Sequence, residues 1–222
     1  MSVILYGSAA EGEFHPEYSD LNLLCVLRDC SYTALEKLSG LVAWWRGNKH
    51  HPPLFLTPQE LRNSAGVFSI EFTDMKQRYR VLSGEDFLAG LPIPLAQHRF
   101  QLEYEIREKL VLLRQHLLLA GQNEQQLWDV MLHSLSSFTT LIRHVLVEQG
   151  QRGRKHSREA VTELAERLNF SPSAFVDLME VRAGTRDRKQ LKATSVASEY
   201  LQGIEKVAAL IDTMQSSYKT SD

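Results

Sequence analysis

The hydrophobic pattern of this 222-residue chain changes its period at the proline-containing segment Leu91-Pro92-Ile93-Pro94. Before this segment, short apolar runs alternate with turn-rich segments, which is typical of strands in a domain that mixes strands and helices. After it, apolar residues recur three and four positions apart, which is typical of packed helices. Because two of its four residues are prolines, no regular helix can continue through the segment. The sequence therefore predicts two domains, an α/β head over residues 1–92 and a helical tail over residues 93–222.

The predicted head contains short strands separated by turns and helices. Residues 3–6 and 21–27 are mostly apolar, as expected for strands that are buried on both faces. Residues 32–45 have apolar side chains at helical spacing, and Pro58 stands where a helix begins after Thr57. The remaining predicted strands are residues 54–56, 67–72 and 79–82.

The predicted tail has helical periodicity throughout. Its first apolar stripe has a period of about 3.6 residues and consists of Leu102, Ile106, Leu110, Leu113 and Leu117. Further helices are predicted over residues 124–148, 158–168 and 195–214, with another beginning at Ser171-Pro172. The predicted fold class is thus α+β, with a small sheet-containing head followed by an all-α antiparallel helical bundle. The apolar bundle is also a candidate surface for a homodimer.

Composition and charge exclude several classes of protein. The formal net charge of −2 does not favour binding along a nucleic-acid backbone, and Cys25 and Cys30 are too few for a disulfide framework. The N-terminus lacks the pattern of a signal peptide, and no apolar run approaches the roughly 20 residues that span a bilayer. We therefore expect a soluble, cytoplasmic protein that acts neither on nucleic acid nor in a membrane.

The strongest indication of a functional site is a glycine-serine pair together with an aspartate at the start of the second predicted strand. Gly7-Ser8 follows the first predicted strand, and Asp20-Leu21-Asn22 opens the second. Glycine permits a sharp turn after which backbone N–H groups can face a phosphate, and the serine hydroxyl can donate to the same oxygens. Side chains two positions apart on a strand share a face, so Asp20 and Asn22 could share one metal ion.

This pattern resembles the nucleotidyltransferase superfamily with the polymerase-beta-like fold, in particular its minimal and kanamycin-type members. The resemblance implies a nucleotidyltransferase-like head with a mixed sheet, a helical-bundle tail, an NTP substrate and Mg²⁺. It implies that Gly7 and Ser8 bind the nucleotide, that Asp20 and Glu71 are catalytic, and that Asp20, Asn22 and Glu71 hold the metal. The third carboxylate lies on a later strand in such proteins. We therefore expect Glu71 on the predicted strand 67–72, with Asp74 as the alternative.

Two departures from the family pattern leave more than one function open. Asn22 stands where the second aspartate of Asp-x-Asp is expected, so the set of metal carboxylates is incomplete, and Glu11 stands where the family often has arginine. One hypothesis is transfer of a nucleoside monophosphate to an unknown small-molecule or protein hydroxyl. The alternative is a catalytically degenerate fold that binds a ligand or a protein, with Asn22 as a simple buried amide. A tail glutamate, Glu103 or Glu105, is a further candidate for the general base.

Overall fold

The computed structural model describes residues 1–11, 21–151 and 155–216. The chain forms two compact units, Met1–Gln101 and Leu102–Asp222. Leu91 and Ile93, from the predicted hinge, belong to the hydrophobic core of the first unit. The division therefore lies after the proline-containing segment, at a point within the first helix that follows it.

The first unit contains a mixed sheet, which in the described residues has four strands in the order β3-β2-β1-β4. The central strand β1 is antiparallel to both of its neighbours, β2 and β4, whereas β2 and β3 are parallel. Their bounds are β1 Ser2–Tyr6, β2 Asn22–Val26, β3 Leu54–Leu56 and β4 Tyr79–Gly84. The four corresponding strand predictions are confirmed, because short apolar runs bounded by turn residues favour strands strongly.

The core of the first unit lies on one face of this sheet. Ile4 and Leu24, each 0% exposed, are paired across β1 and β2 and pack with Leu61 and Phe72. Burial of such side chains stabilises the unit by about 1.5–3 kcal/mol each. The sheet is consequently anchored through the core residues of β1 and β2.

Helices complete the first unit, with bounds α1 Tyr32–Glu36, α2 Ser39–Gly47, α3 Pro58–Ser64 and α4 Ser69–Gln77. Helix α3 begins as predicted: the Thr57 hydroxyl accepts from the Glu60 N–H, and the Glu60 carboxylate accepts from the Thr57 N–H in return.

The predicted strand over residues 67–72 is wrong, because the structure has helix α4 there. Phe68, Ile70 and Phe72 alternate with other residues as they would on a strand. In the helix, Ile70 and Phe72 are buried together with Met75 from the following turn. A short alternating run does not distinguish a strand from a buried helix segment, which explains the error.

The second unit is helical, and its helices are α5 His98–Ala120, α6 Glu124–Glu148, α7 Ser157–Leu168, α8 Ser173–Arg182 and α9 Ala193–Ser216. Helix α5 begins in the first unit and continues into the second. Its predicted stripe is confirmed, since Leu102, Ile106, Leu110 and Leu113 are at most 7% exposed and Leu117 is half-buried. The predicted fold class, a small mixed sheet followed by a helical region, is therefore correct.

Helix α6 forms the centre of the second unit. Among the described residues it is the one helix long and apolar enough to cross a membrane by those two criteria, yet 61% of its apolar window is buried. Buried side chains such as Met131, Leu135 and Val145 lie along its length. This burial matches the core helix of a packed bundle.

Candidate functional site

The turn at Gly7 comes directly after the last residue of β1. Gly7 has φ +80°, its N–H donates to the Arg78 carbonyl at 2.9 Å, and its carbonyl accepts from the Ala10 N–H at 3.0 Å. Residues Ser8–Glu11 then form a single turn of 3-10 helix. The expected glycine-permitted turn is present, but this helix is too short to contribute a substantial dipole. Any phosphate contact here would depend on individual N–H groups and on the Ser8 hydroxyl.

Asn22 lies against this turn. It is the first residue of β2 and is paired with Tyr6 across the sheet. A Cβ atom built on Gly7 would lie 3.3 Å from the Asn22 Nδ2 atom. Positions 7 and 22 therefore lie close together, and glycine is needed at position 7 for both its backbone angle and the space that Asn22 occupies.

We expect Gly7→Ala to destabilise the first unit by about 1–2 kcal/mol, because an L-residue is strained at positive φ. The new methyl group must also displace the Asn22 amide. Chemical denaturation monitored by circular dichroism measures this loss. Gly40→Ala in α2 is the matched control, since no atom lies within 4 Å of its Cβ position. Equal stability of Gly7→Ala and the unaltered protein would contradict the prediction.

Glu71 lies in the first turn of α4 and is exposed to solvent. The expectation that it lies on a strand is corrected by the helix, where an acidic residue near the N-terminus is favoured by the helix dipole. Asp74, the alternative third carboxylate, is in the same helix and is half-buried. The structure therefore places Glu71 on a helix and not on the sheet, with its charge acting on Tyr6.

The hydroxyl group of Tyr6, the last residue of β1, is affected by the negative charge of Glu71. Burial raises the pKa of the Tyr6 hydroxyl to about 12, and the negative charge of Glu71 adds to the increase. The hydroxyl therefore stays protonated at neutral pH. Since Tyr6 is also the cross-strand partner of Asn22, Gly7 and Asn22 lie together at one end of β1, and the charge of Glu71 acts on this end from α4.

Gln101 is a residue of this site that the sequence does not predict. Its Nε2 atom donates to the Glu71 Oε2 atom at 2.6 Å, and its Oε1 atom accepts from the Ile70 N–H at 3.1 Å and from the Ser69 hydroxyl at 3.0 Å. No nearby sequence pattern distinguishes this glutamine from any other glutamine near the start of a helix. Its partners lie about thirty residues earlier, so only the folded chain reveals them.

A magnesium site at this end of the sheet would need more ligands than the described residues supply. Within residues 1–11, 21–151 and 155–216, no three His, Cys, Asp or Glu side chains are grouped so that they could hold a metal ion. Asn22 offers a carbonyl oxygen, and Glu71 offers Oε1 because Oε2 accepts from Gln101. These hard oxygen donors fit part of a magnesium ligand set. The rest would come from Asp20, which lies outside the described residues.

The tail glutamates are already paired within their own helix. Glu103 accepts from the Arg107 Nε atom at 3.1 Å, and Glu105 lies 2.9 Å from the Lys109 ammonium group. Such pairs one turn apart stabilise a helix by about 0.2–0.5 kcal/mol. A role of either residue as general base stays a prediction.

The comparisons with known proteins agree with this architecture at the level of the fold. No protein-family model matches the chain, and no curated protein matches it. Among solved structures, it is similar to the spectinomycin adenyltransferase from Enterococcus faecialis, crystallised with ATP and spectinomycin. The two are 13% identical, the match covers 92% of this chain and 91% of that chain, and the TM-score is 0.54. At this identity the likeness shows only that the two chains have a similar fold.

Proposed function

We propose that this protein transfers a nucleoside monophosphate from a nucleoside triphosphate to a hydroxyl group of a small molecule or a protein. The observation that carries the proposal is that Gly7 and Asn22 lie together at one end of β1, where the charge of Glu71 acts on Tyr6. Strand ends that gather polar side chains are common places for ligand sites. The nucleotidyltransferase-like fold supports the choice of reaction, although fold alone does not establish chemistry.

The proposed roles follow from the donors and acceptors at the site. Gly7 and Ser8 bind the triphosphate through backbone N–H groups and the serine hydroxyl. The acceptor oxygen forms a bond to the α-phosphorus while the bond from this phosphorus to the bridging oxygen breaks, so pyrophosphate leaves. The proton of the acceptor hydroxyl passes to a base, and Glu71 is the candidate at its Oε1 atom.

Magnesium belongs to the same proposal, with Asp20, Asn22 and Glu71 as the residues that would hold it. When bound, the ion would supply positive charge to offset that of the phosphate oxygens. Asn22 contributes an oxygen without a charge, so its side chain could help to hold the ion in place but cannot offset its positive charge. Asp20 is accordingly the residue on which metal binding would depend most.

The similar solved structure suggests which ligands to test first. It was crystallised with ATP and with a small-molecule acceptor, spectinomycin. We therefore propose ATP as the first donor and small hydroxyl compounds, including spectinomycin, as the first acceptors. A cytoplasmic location and a homodimer through the apolar helical tail are also part of the proposal.

The second candidate function is binding without turnover. It is favoured by the neutral Asn22 side chain, whose Nδ2 atom lies against Gly7, and by Glu11 at the end of the 3-10 helix. A like charge near a triphosphate would oppose nucleotide binding. In this case the fold would serve as a ligand-binding or protein-interaction module.

Titration calorimetry of ATP and GTP distinguishes the two functions. Under the proposed function the unaltered protein binds one of them only with magnesium, and Asn22→Asp binds about tenfold more tightly, a gain of roughly 1.4 kcal/mol. Binding by Asn22→Asp alone would favour the degenerate fold. If neither protein binds a nucleotide, the proposed function is wrong. Asn63→Asp, which adds the same charge on an exposed position of α3, is the matched control and should leave the affinity unchanged.

A further inference from the structure

Gln101 joins a buried anchor to an exposed carboxylate. Ser69 and Ile70, which donate to its Oε1 atom, are 0% and 4% exposed, whereas Glu71, which accepts from its Nε2 atom, is exposed. Gln101 itself is held in α5, where its N–H donates to the Gln97 carbonyl at 3.0 Å. The Oε1 atom of Gln101 is thus held by buried donors, and its Nε2 atom contacts Glu71, the proposed base.

The two ends of the amide perform different tasks. The first N–H groups of a helix have no partner within the helix, and Oε1 satisfies the one on Ile70. The same bond determines which end of the amide carries the oxygen, because an N–H group requires an acceptor. The NH₂ group must then point at Glu71, where it holds Oε2 and leaves Oε1 as the free carboxylate oxygen.

We propose that Gln101 is a positioning residue for nucleotidyl transfer, since its amide anchors the start of α4 and turns the Oε1 atom of Glu71 towards the acceptor hydroxyl. This inference rests on the proposed function and extends it to a residue outside the family motif. Glutamine is the side chain that combines an acceptor for Ile70 with a donor for Glu71 at this length. Carboxylates lack the donor, and asparagine is one methylene shorter.

Gln101→Glu separates anchoring from positioning. It retains an oxygen acceptor for Ser69 and Ile70 but places a second carboxylate against Glu71 in place of the donor. The exchange rate of the Ile70 amide hydrogen, measured by NMR, should therefore stay within about threefold of its original value, because the helix start keeps its partner. Gln101→Met has similar volume and removes both functions, so its Ile70 amide should exchange faster.

The kinetic test uses α-labelled ATP with magnesium and the acceptor that the unaltered protein accepts. For Gln101→Glu, kcat should fall by about tenfold to a hundredfold while KM for ATP changes little, as expected for a misplaced reacting group. A merely structural role would not lower kcat while KM for ATP and the Ile70 exchange rate stay unchanged.

The outcomes separate this inference from the function on which it rests. If the unaltered protein transfers no nucleotide to any acceptor, the proposed function fails and the role of Gln101 fails with it. If the unaltered protein is active, and Gln101→Glu retains its kcat, only the role of Gln101 is overturned. A lower kcat with an unchanged KM for ATP and a normal Ile70 exchange rate supports it.

Discussion

Replacement of Glu71 by glutamine is expected to lower the rate of nucleotidyl transfer by about 10²- to 10⁴-fold, the usual contribution of a general base. The substituted amide keeps an oxygen that can accept from Gln101 Nε2, so α4 should keep its position. The free energy of unfolding of the Glu71→Gln protein should fall by only about 0.3–1 kcal/mol, which is the usual contribution of an acidic residue near a helix N-terminus. Transfer from α-labelled ATP and chemical denaturation, measured on the same preparation, test both statements.

Glu85→Gln is the matched control for this substitution. Glu85 is an exposed acidic residue that follows β4 in the same unit, and its replacement changes the net charge by the same amount. We expect its transfer rate to equal that of the unaltered protein. If Glu71→Gln were as active as Glu85→Gln, Glu71 would not be the base, and Asp74 or a tail glutamate would become the next residue to replace.

Tyr200→Ala is expected to destabilise the second unit by about 3–5 kcal/mol, as for other large aromatic residues removed from a core. Tyr200 is 0% exposed, and its ring lies 4.8 Å from that of Phe175 and 6.0 Å from that of Phe138. Its hydroxyl group is 3.1 Å from the Ser134 hydroxyl. Since whole domains are stable by only about 5–15 kcal/mol, a substantial fraction of the folded population could be lost.

Tyr200→Phe separates packing from hydrogen bonding at this position. It keeps the ring and removes the hydroxyl, so it should cost only about 1 kcal/mol. Urea denaturation is followed by tryptophan fluorescence in a background in which Trp44 and Trp45 of the first unit are replaced by phenylalanine, so that the signal comes from Trp128, which is buried in α6. A midpoint for Tyr200→Ala equal to that of Tyr200→Phe would show that the cavity is filled by rearrangement of the surrounding aromatic rings.

The fold of each unit was largely predictable from local pattern. Ile4 and Leu24 lie in short apolar runs bounded by turns, and the stripe beginning at Leu102 keeps a helical period for several turns. In both cases burial of the apolar face is the dominant free-energy term, and the spacing of the apolar residues that form this face can be read from a short stretch of sequence. Thr57 and Glu60 likewise specify the start of α3 because both partners lie within one turn.

The candidate site was predictable only in part. Gly7 was expected to permit a sharp turn after the first strand, and the structure has that turn. The Asn22 amide also lies against Gly7, which the sequence did not predict. Glu71 was assigned to a strand because Ile70 and Phe72 alternate with polar residues. The free energy that favours a helix there comes partly from Met75, and partly from an acceptor thirty-one residues away, Gln101.

The sequence by itself determined the two-part architecture and the turn at Gly7, because each depends on side chains close together along the chain. The residues proposed to bind a nucleotide stay a prediction. Tertiary structure alone decided that residues 69–77 are helical and that Gln101 meets Glu71. A hydrogen bond between distant residues stabilises the chain only after the entropy of closing the loop between them has been lost. Such a contact leaves no periodic pattern in the sequence, so the partner that orients the proposed base becomes visible only in the folded protein.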